Sequence, residues 1–169
     1  MTTAPATTAP APPPRTSWAW LVGTFCGIGR LKPGPGTWAS VATVALWRAL
    51  APFADGFQTP AAIIAAAVVT GIGIPASTRV ARESKRKDPG FVVIDEVAGQ
   101  LIALIGAPLA WKTLLASLIL FRVFDIVKPP PLRRLENVPE GAGIMLDDVG
   151  AGLYALAVMQ ALRHFGWLP

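Results

Sequence analysis

The chain is a succession of apolar runs broken by short polar stretches, and the runs show no sustained period-two alternation, so helices are predicted and strands are not. Only Val92, Val93 and Ile94 are briefly strand-like. An uncharged stretch over 16–29, holding Trp18 and Trp20, fits a short helix lying at an interface. Thr37 is an expected N-cap for a helix over 38–50. Residues 60–76 form an apolar run close to spanning length, followed by a basic loop over 78–87. Residues 97–121 are apolar apart from Gln100 and Lys112, and Pro108 splits them into two helices. Pro129, Pro130 and Pro131 end any helix reaching them, because proline lacks the donor and restricts the residue before it. Gly141-Ala142-Gly143 is read as a turn back into a last helix over 149–162, which Asp147 and Asp148 open and Arg163 and His164 close. The prediction is an all-α bundle.

Length and composition make that bundle a membrane candidate. With 169 residues, 53% hydrophobic and only 15% charged, the chain is far below the roughly 25% charge of a soluble protein. Mean hydropathy is +0.51, which predicts a membrane-embedded or membrane-associated domain. The net charge of +5 favours an anionic lipid surface. Nucleic acid is the competing partner for a basic chain, but aromatic and basic residues are not interleaved, so none is expected. Residues 1–15 are Pro/Ala/Thr-rich and read as a disordered tail, leaving 16–169 as one helical domain. The basic loop over 78–87 would face the cytoplasm.

The polar residues concentrate beside the greasy segments. Arg122 and Asp125 are three apart, so a helix puts them on one face, with Lys128 just beyond. Asp95-Glu96 and Asp147-Asp148 each stand at the start of an apolar segment. One carboxylate of a pair can cap a helix, but a cap needs only one, and several acids brought together require a cation. Hard oxygen ligands suit Mg²⁺ or Mn²⁺, while one His and one Cys make zinc a poor match. Gly99, four beyond Asp95, and Gly150 and Gly152 would let helices approach closely. The stretch from Arg30 to Thr37 is either a plain Pro/Gly turn or a phosphate-holding loop. Cys26 is read as core, since Cys26 to Arg30 is too short for a thiol-phosphatase loop. A histidine-nucleophile phosphatase needs at least two His, and no Asp-x-Asp is present for an aspartyl-phosphate route.

Three blocks, GTFCGIGRLKPGPGTWAS at 23–40, KDPGFVVIDEVAGQ at 87–100 and FRVFDIVKPPPLRRLENVPEGAGIMLDDVGAGLY at 121–154, resemble the phosphatidylglycerophosphatase A family of bacterial Mg²⁺-dependent lipid phosphatases. The resemblance implies a compact bundle of about six helices in the cytoplasmic (inner) membrane. Its implied activity is hydrolysis of phosphatidylglycerophosphate to phosphatidylglycerol and inorganic phosphate, by Mg²⁺-assisted attack of water on the cytoplasmic side. Carried onto this chain, Asp95, Glu96, Asp125, Asp147 and Asp148 would hold metal, with Asp88 a weaker candidate. Asp125 and Asp148 are also candidates for the base, while Arg122, Lys128, Lys32, Gly36 and Thr37 would meet phosphate. Glu136, where the family more often has Asp, and Ala142 are small departures. The alternative from a different class is a non-enzymatic membrane protein that binds or carries divalent cations, which would need the acids but not the neighbouring Arg and Lys.

Overall fold

The computed structural model describes residues 15–135 and 138–169, and these residues form seven α-helices with no strand among them. They are α1 (Ser17–Gly23), α2 (Pro35–Leu50), α3 (Gln58–Ser84), α4 (Ile94–Ala103), α5 (Trp111–Val127), the single turn α6 (Leu132–Leu135) and α7 (Glu140–His164). The expected tail (apart from Arg15) and Glu136 lie outside the described residues.

The short helix α4 is the axis of the bundle. Eight of its ten residues are buried, and α2, α3, α5 and α7 all pack against it. Two glycines set its crossing with α7. A Cβ built on Gly99 would lie 2.6 Å from the Asp148 carbonyl oxygen and 2.4 Å from the Phe121 ring. One built on Gly152 would lie 2.5 Å from the Gly99 carbonyl oxygen. The two backbones touch there because neither residue has a side chain. The helices run in the same sense: Asp95 and Asp148 meet at one end, and Gln160 Nε2 donates to the Ile105 carbonyl at the other. Phe121, fully buried, wedges α5 against the same crossing.

The outer faces are apolar. Trp111, Leu115, Ile119, Val123 and Ile126 form one exposed stripe along α5, and Ile64, Val68 and Ile72 another along α3. Both α3 and α7 are long and apolar enough to cross a membrane. α1 is tied down by Glu83, whose carboxylate accepts from Thr16 N and Oγ1 and from Trp20 Nε1.

The split at Pro108, the acidic start of α4 and the end of α5 before the prolines follow the sequence pattern. Five expectations do not. α2 begins at Pro35, after Gly34 with φ 68°, so Thr37 lies inside the first turn and makes no cap bond. Proline at the first helical position wins over the threonine because its fixed φ already suits the helix. α7 begins at Glu140, which puts Asp147 and Asp148 in its interior instead of at its start. Gly141-Ala142-Gly143 is accordingly helical. Its glycines serve close approach, a Cβ at Gly141 meeting the Ile74 carbonyl oxygen at 2.2 Å. α3 continues through Pro75 to Ser84, so most of the basic loop is helix end. Cys26 is exposed, in a left-handed turn with φ 54°, and is not core.

Gly99→Ala is expected to lower stability by about 1–3 kcal/mol through overpacking, whereas Gly71→Ala, which meets nothing within 4 Å, should be neutral or stabilising. Thermal midpoints of the purified proteins in one detergent check this ordering.

Candidate metal and phosphate site

The segment over 88–92 with the N-terminal end of α4, the C-terminal end of α5 and the interior of α7 converge on one polar pocket of about 130 Å³. Asp88, Asp95, Glu96, Asp125, Lys128, Asp147 and Asp148 line it. The parallel crossing explains how two sequence-distant acids meet. Asp95 is four residues before Gly99 and Asp148 four before Gly152, so each projects from the turn preceding the contact point.

One carboxylate oxygen each from Asp95, Glu96 and Asp148 lies within 4.8 Å of the other two. Asp95 Oδ1, Glu96 Oε2 and Asp148 Oδ2 are out of contact with solvent and have no hydrogen-bond partner. Unpaired buried carboxylate oxygens are costly, and three facing one another are costlier still. The donor set fits a hard divalent cation: oxygens only, with no sulfur or imidazole.

Burial pushes the Asp95 carboxyl well above the usual carboxylate range, and the charges of Glu96 and Asp148 add to the effect. Glu96 is also raised by burial, against the lowering influence of the Arg122 guanidinium.

The cations stand beside this cluster and are oriented by the remaining acids. Arg122 Nη1 lies 2.8 Å from Asp125 Oδ2, one turn along α5, and 3.8 Å from Glu96 Oε1. Lys128, in a left-handed conformation at the end of α5, donates to Asp147 Oδ2 at 2.5 Å. Asp147 Oδ1 accepts from the Asp148 N–H. Tyr154 donates to the Pro130 carbonyl and fastens the proline turn to α7, which keeps Lys128 over the pocket. Gly36 closes another side: a Cβ there would lie 1.9 Å from Glu96 Oε1 and 3.0 Å from Arg122 Nη1. The first turn of α2, with its free N–H groups, therefore abuts the site.

Of the residues singled out in the sequence, the pocket gathers Asp88 and all five other acids together with Lys128, and Arg122 reaches it through Glu96 and Asp125. Lys32 and Thr37 are exposed and do not line it. Lys87, which the sequence pattern places only in the basic stretch, borders the neighbouring depression with Asp88 and Asp147. Its position next to Asp88 in the chain was the available signal.

The molecule is a helical bundle with apolar outer faces and one pocket carrying both carboxylates and cations, whose acidic cluster could hold a metal ion. The family model for phosphatidylglycerophosphatase A matches residues 21–163, and the chain belongs to that family. It is 36% identical to a Bacteroides thetaiotaomicron protein described as "Putative phosphatidylinositol-3-phosphatase", over 85% of this chain and 92% of that protein. It is 36% identical to the Haemophilus influenzae phosphatidylglycerophosphatase A, over 86% and 88% of the two chains. Identity to the Escherichia coli phosphatidylglycerophosphatase A is 31%, over 87% and 84%. No solved structure matches the chain.

Two outcomes follow from the charge balance. In chelator, Asp95→Asn should melt at a higher temperature than the parent protein, and saturating divalent cation should reverse that order. The raised folded-state values of Asp95 and Glu96 mean that the native metal-free protein binds extra protons. Their contribution is therefore fully present below about pH 4, the unfolded value, and lost as pH rises through the folded values. Thermal midpoints in chelator should decline from mildly acidic to alkaline pH, less steeply in Asp95→Asn, and the decline should flatten when cation is added.

Proposed function

We propose that this chain hydrolyses the terminal phosphomonoester of phosphatidylglycerophosphate to phosphatidylglycerol and inorganic phosphate, with Mg²⁺ as cofactor. The observation that carries the reading is the conjunction in one pocket of three unpartnered carboxylate oxygens with Lys128 and the adjacent Arg122. Cation carriage needs only the acids, whereas phosphate chemistry needs both signs. Membership of the phosphatidylglycerophosphatase A family and the two relatives so described support the same activity.

Asp95, Glu96 and Asp148 would hold the metal. A bound Mg²⁺ would draw charge from the phosphoryl oxygens. Arg122 would engage those oxygens through its planar fork and Lys128 as a point charge, stabilising the negative charge that grows on them in the transition state. Asp125 and Asp147 hold these two cations in place. Asp125, which lines the pocket, would accept the proton from the attacking water, with Asp148 committed to the metal. The water oxygen would bond to phosphorus as the bond to the glycerol oxygen breaks, and the leaving oxygen would take a proton from solvent, to which Asp125 returns the one it accepted. The first turn of α2, around Gly36, adds N–H groups close to Glu96 and Arg122; Lys32 and Thr37 lie outside this arrangement. The exposed apolar stripes of α3 and α5 would rest in the acyl region of the bacterial inner membrane. The basic end of α3 would hold the pocket on the cytoplasmic side.

The Bacteroides relative favours a second reading, in which the substrate is a different lipid phosphomonoester. Phosphatidylglycerophosphate and phosphatidylinositol 3-phosphate share one chemical pattern, a phosphomonoester on a polyol that a phosphodiester joins to diacylglycerol.

Phosphate release from each lipid in detergent, with Mg²⁺ and with chelator, tests the proposal. Mg²⁺-dependent release is expected, faster from phosphatidylglycerophosphate. Asp125→Asn should lose about 10²–10⁴-fold in kcat, and Asp148→Asn at least about 100-fold together with its Mg²⁺ affinity. A faster rate on the inositol lipid would transfer the assignment to it. Folded protein that binds Mg²⁺ but releases no phosphate from either lipid would favour the non-enzymatic cation-binding reading.

A further inference from the structure

The acidic pocket does not stand alone. It shares Asp88, Ile144 and Asp147 with a second depression of about 170 Å³, whose rim includes Lys87 and Glu140. That depression in turn shares Lys87 and Glu140 with a third, of about 250 Å³, bordered by Arg82, Lys85 and Arg86. The three depressions therefore lie side by side, forming a shallow trough of adjoining hollows from the carboxylates to a group of cations at the C-terminal end of α3.

The sign of that far end is positive. Glu140, its one acid, is paired with Arg82. Glu83, the other acid on this part of α3, is turned to Thr16 and Trp20 and does not offset the cations in the trough. Lys85 forms the left-handed helix cap, where a cation complements the helix end. Arg86 and Lys87 lie beyond the helix, exposed and bordering the trough, so the helix end alone does not account for them.

Resting on the phosphatase reading above, we propose that Arg86 and Lys87 bind the phosphodiester of the lipid substrate while its phosphomonoester occupies the acidic pocket. The site then selects a lipid carrying both groups, an anion at each end of a short polyol. Two phosphates joined in this way suit, in charge, a surface that changes sign from an acidic end that would hold a cation to a basic one.

The same cations would attract the phosphodiesters of any anionic bilayer, so the test is run in neutral-detergent micelles, where the substrate is the only anionic lipid. The variant is Arg86→Gln/Lys87→Gln, measured for KM and kcat on phosphatidylglycerophosphate and for inhibition by inorganic phosphate, a probe of the phosphomonoester end alone. The expected result is a KM rise of about tenfold, the scale of one or two charge-assisted hydrogen bonds. The inhibition constant for phosphate should shift less than about twofold, and Arg86→Lys/Lys87→Arg should restore most of the KM. The KM difference should shrink in high salt. An unchanged KM in neutral micelles, with a defect appearing only when anionic lipid is added, would overturn the proposal in favour of bulk surface attraction. A parallel rise in KM and in the phosphate constant would overturn it by assigning the two cations to the terminal phosphate or to the fold. Parent protein that fails to hydrolyse phosphatidylglycerophosphate would sink the phosphatase reading and this inference with it, a result distinct from both of the others.

Discussion

The crossing of α4 and α7 at Gly99 and Gly152 is the constraint on which the rest of the structure depends. Two helix backbones in contact leave no slack, so a side chain one turn before the contact on either helix has its position dictated by the crossing. Asp95 and Asp148 occupy those two positions. Phe121 locks α5 to the same point, and Arg122, the next residue, is thereby carried to the edge of the acidic cluster. Gly36 lets the start of α2 close the remaining side. Glycine packing, which has nothing to do with phosphate chemistry, thus fixes where the charged groups are.

The arrangement is costly without a ligand. Acids drawn from α4, α5 and α7 are held together in a largely apolar bundle; Arg122 pairs closely with Asp125 and more distantly with Glu96, and Lys128 pairs with Asp147. Asp95, Glu96 and Asp148 keep oxygens that no protein group satisfies. Strain of this kind persists where function requires it. A divalent cation would relieve it, and Arg122 and Lys128 beside it would draw an anion to the pocket.

Much of this was legible in the sequence, for reasons that can be stated. The i, i+3 spacing of Arg122 and Asp125 needs only a helix to make them neighbours, and α5 supplies it. The acidic start of α4 and the stop at Pro129 follow from local rules of helix ends. Local rules failed where glycine served packing instead of turning. Gly141 and Gly143 looked like a turn because their freedom is visible in the sequence, whereas the Ile74 and Val138 carbonyls that require their smallness belong to segments distant or separated by other residues. Misplacing the start of α7 made Asp147 and Asp148 look like caps, when they are interior residues. Thr37 failed similarly, outweighed by Pro35 two residues earlier. Cys26, exposed in a left-handed turn, was misread because hydrophobic character does not report backbone conformation. The trough joining Lys87 to the acidic pocket depends on α3 and α7 lying side by side, which no local pattern encodes.

The central claim is that the acidic cluster where α4 and α7 cross binds a divalent cation. Anomalous diffraction from crystals soaked in Mn²⁺, a Mg²⁺ surrogate with its own absorption edge, tests it most directly. The account predicts an anomalous peak bounded by the carboxylates of Asp95, Glu96 and Asp148, and its loss in Asp148→Asn. A peak elsewhere, or a saturating soak that leaves this cluster without one, would contradict it.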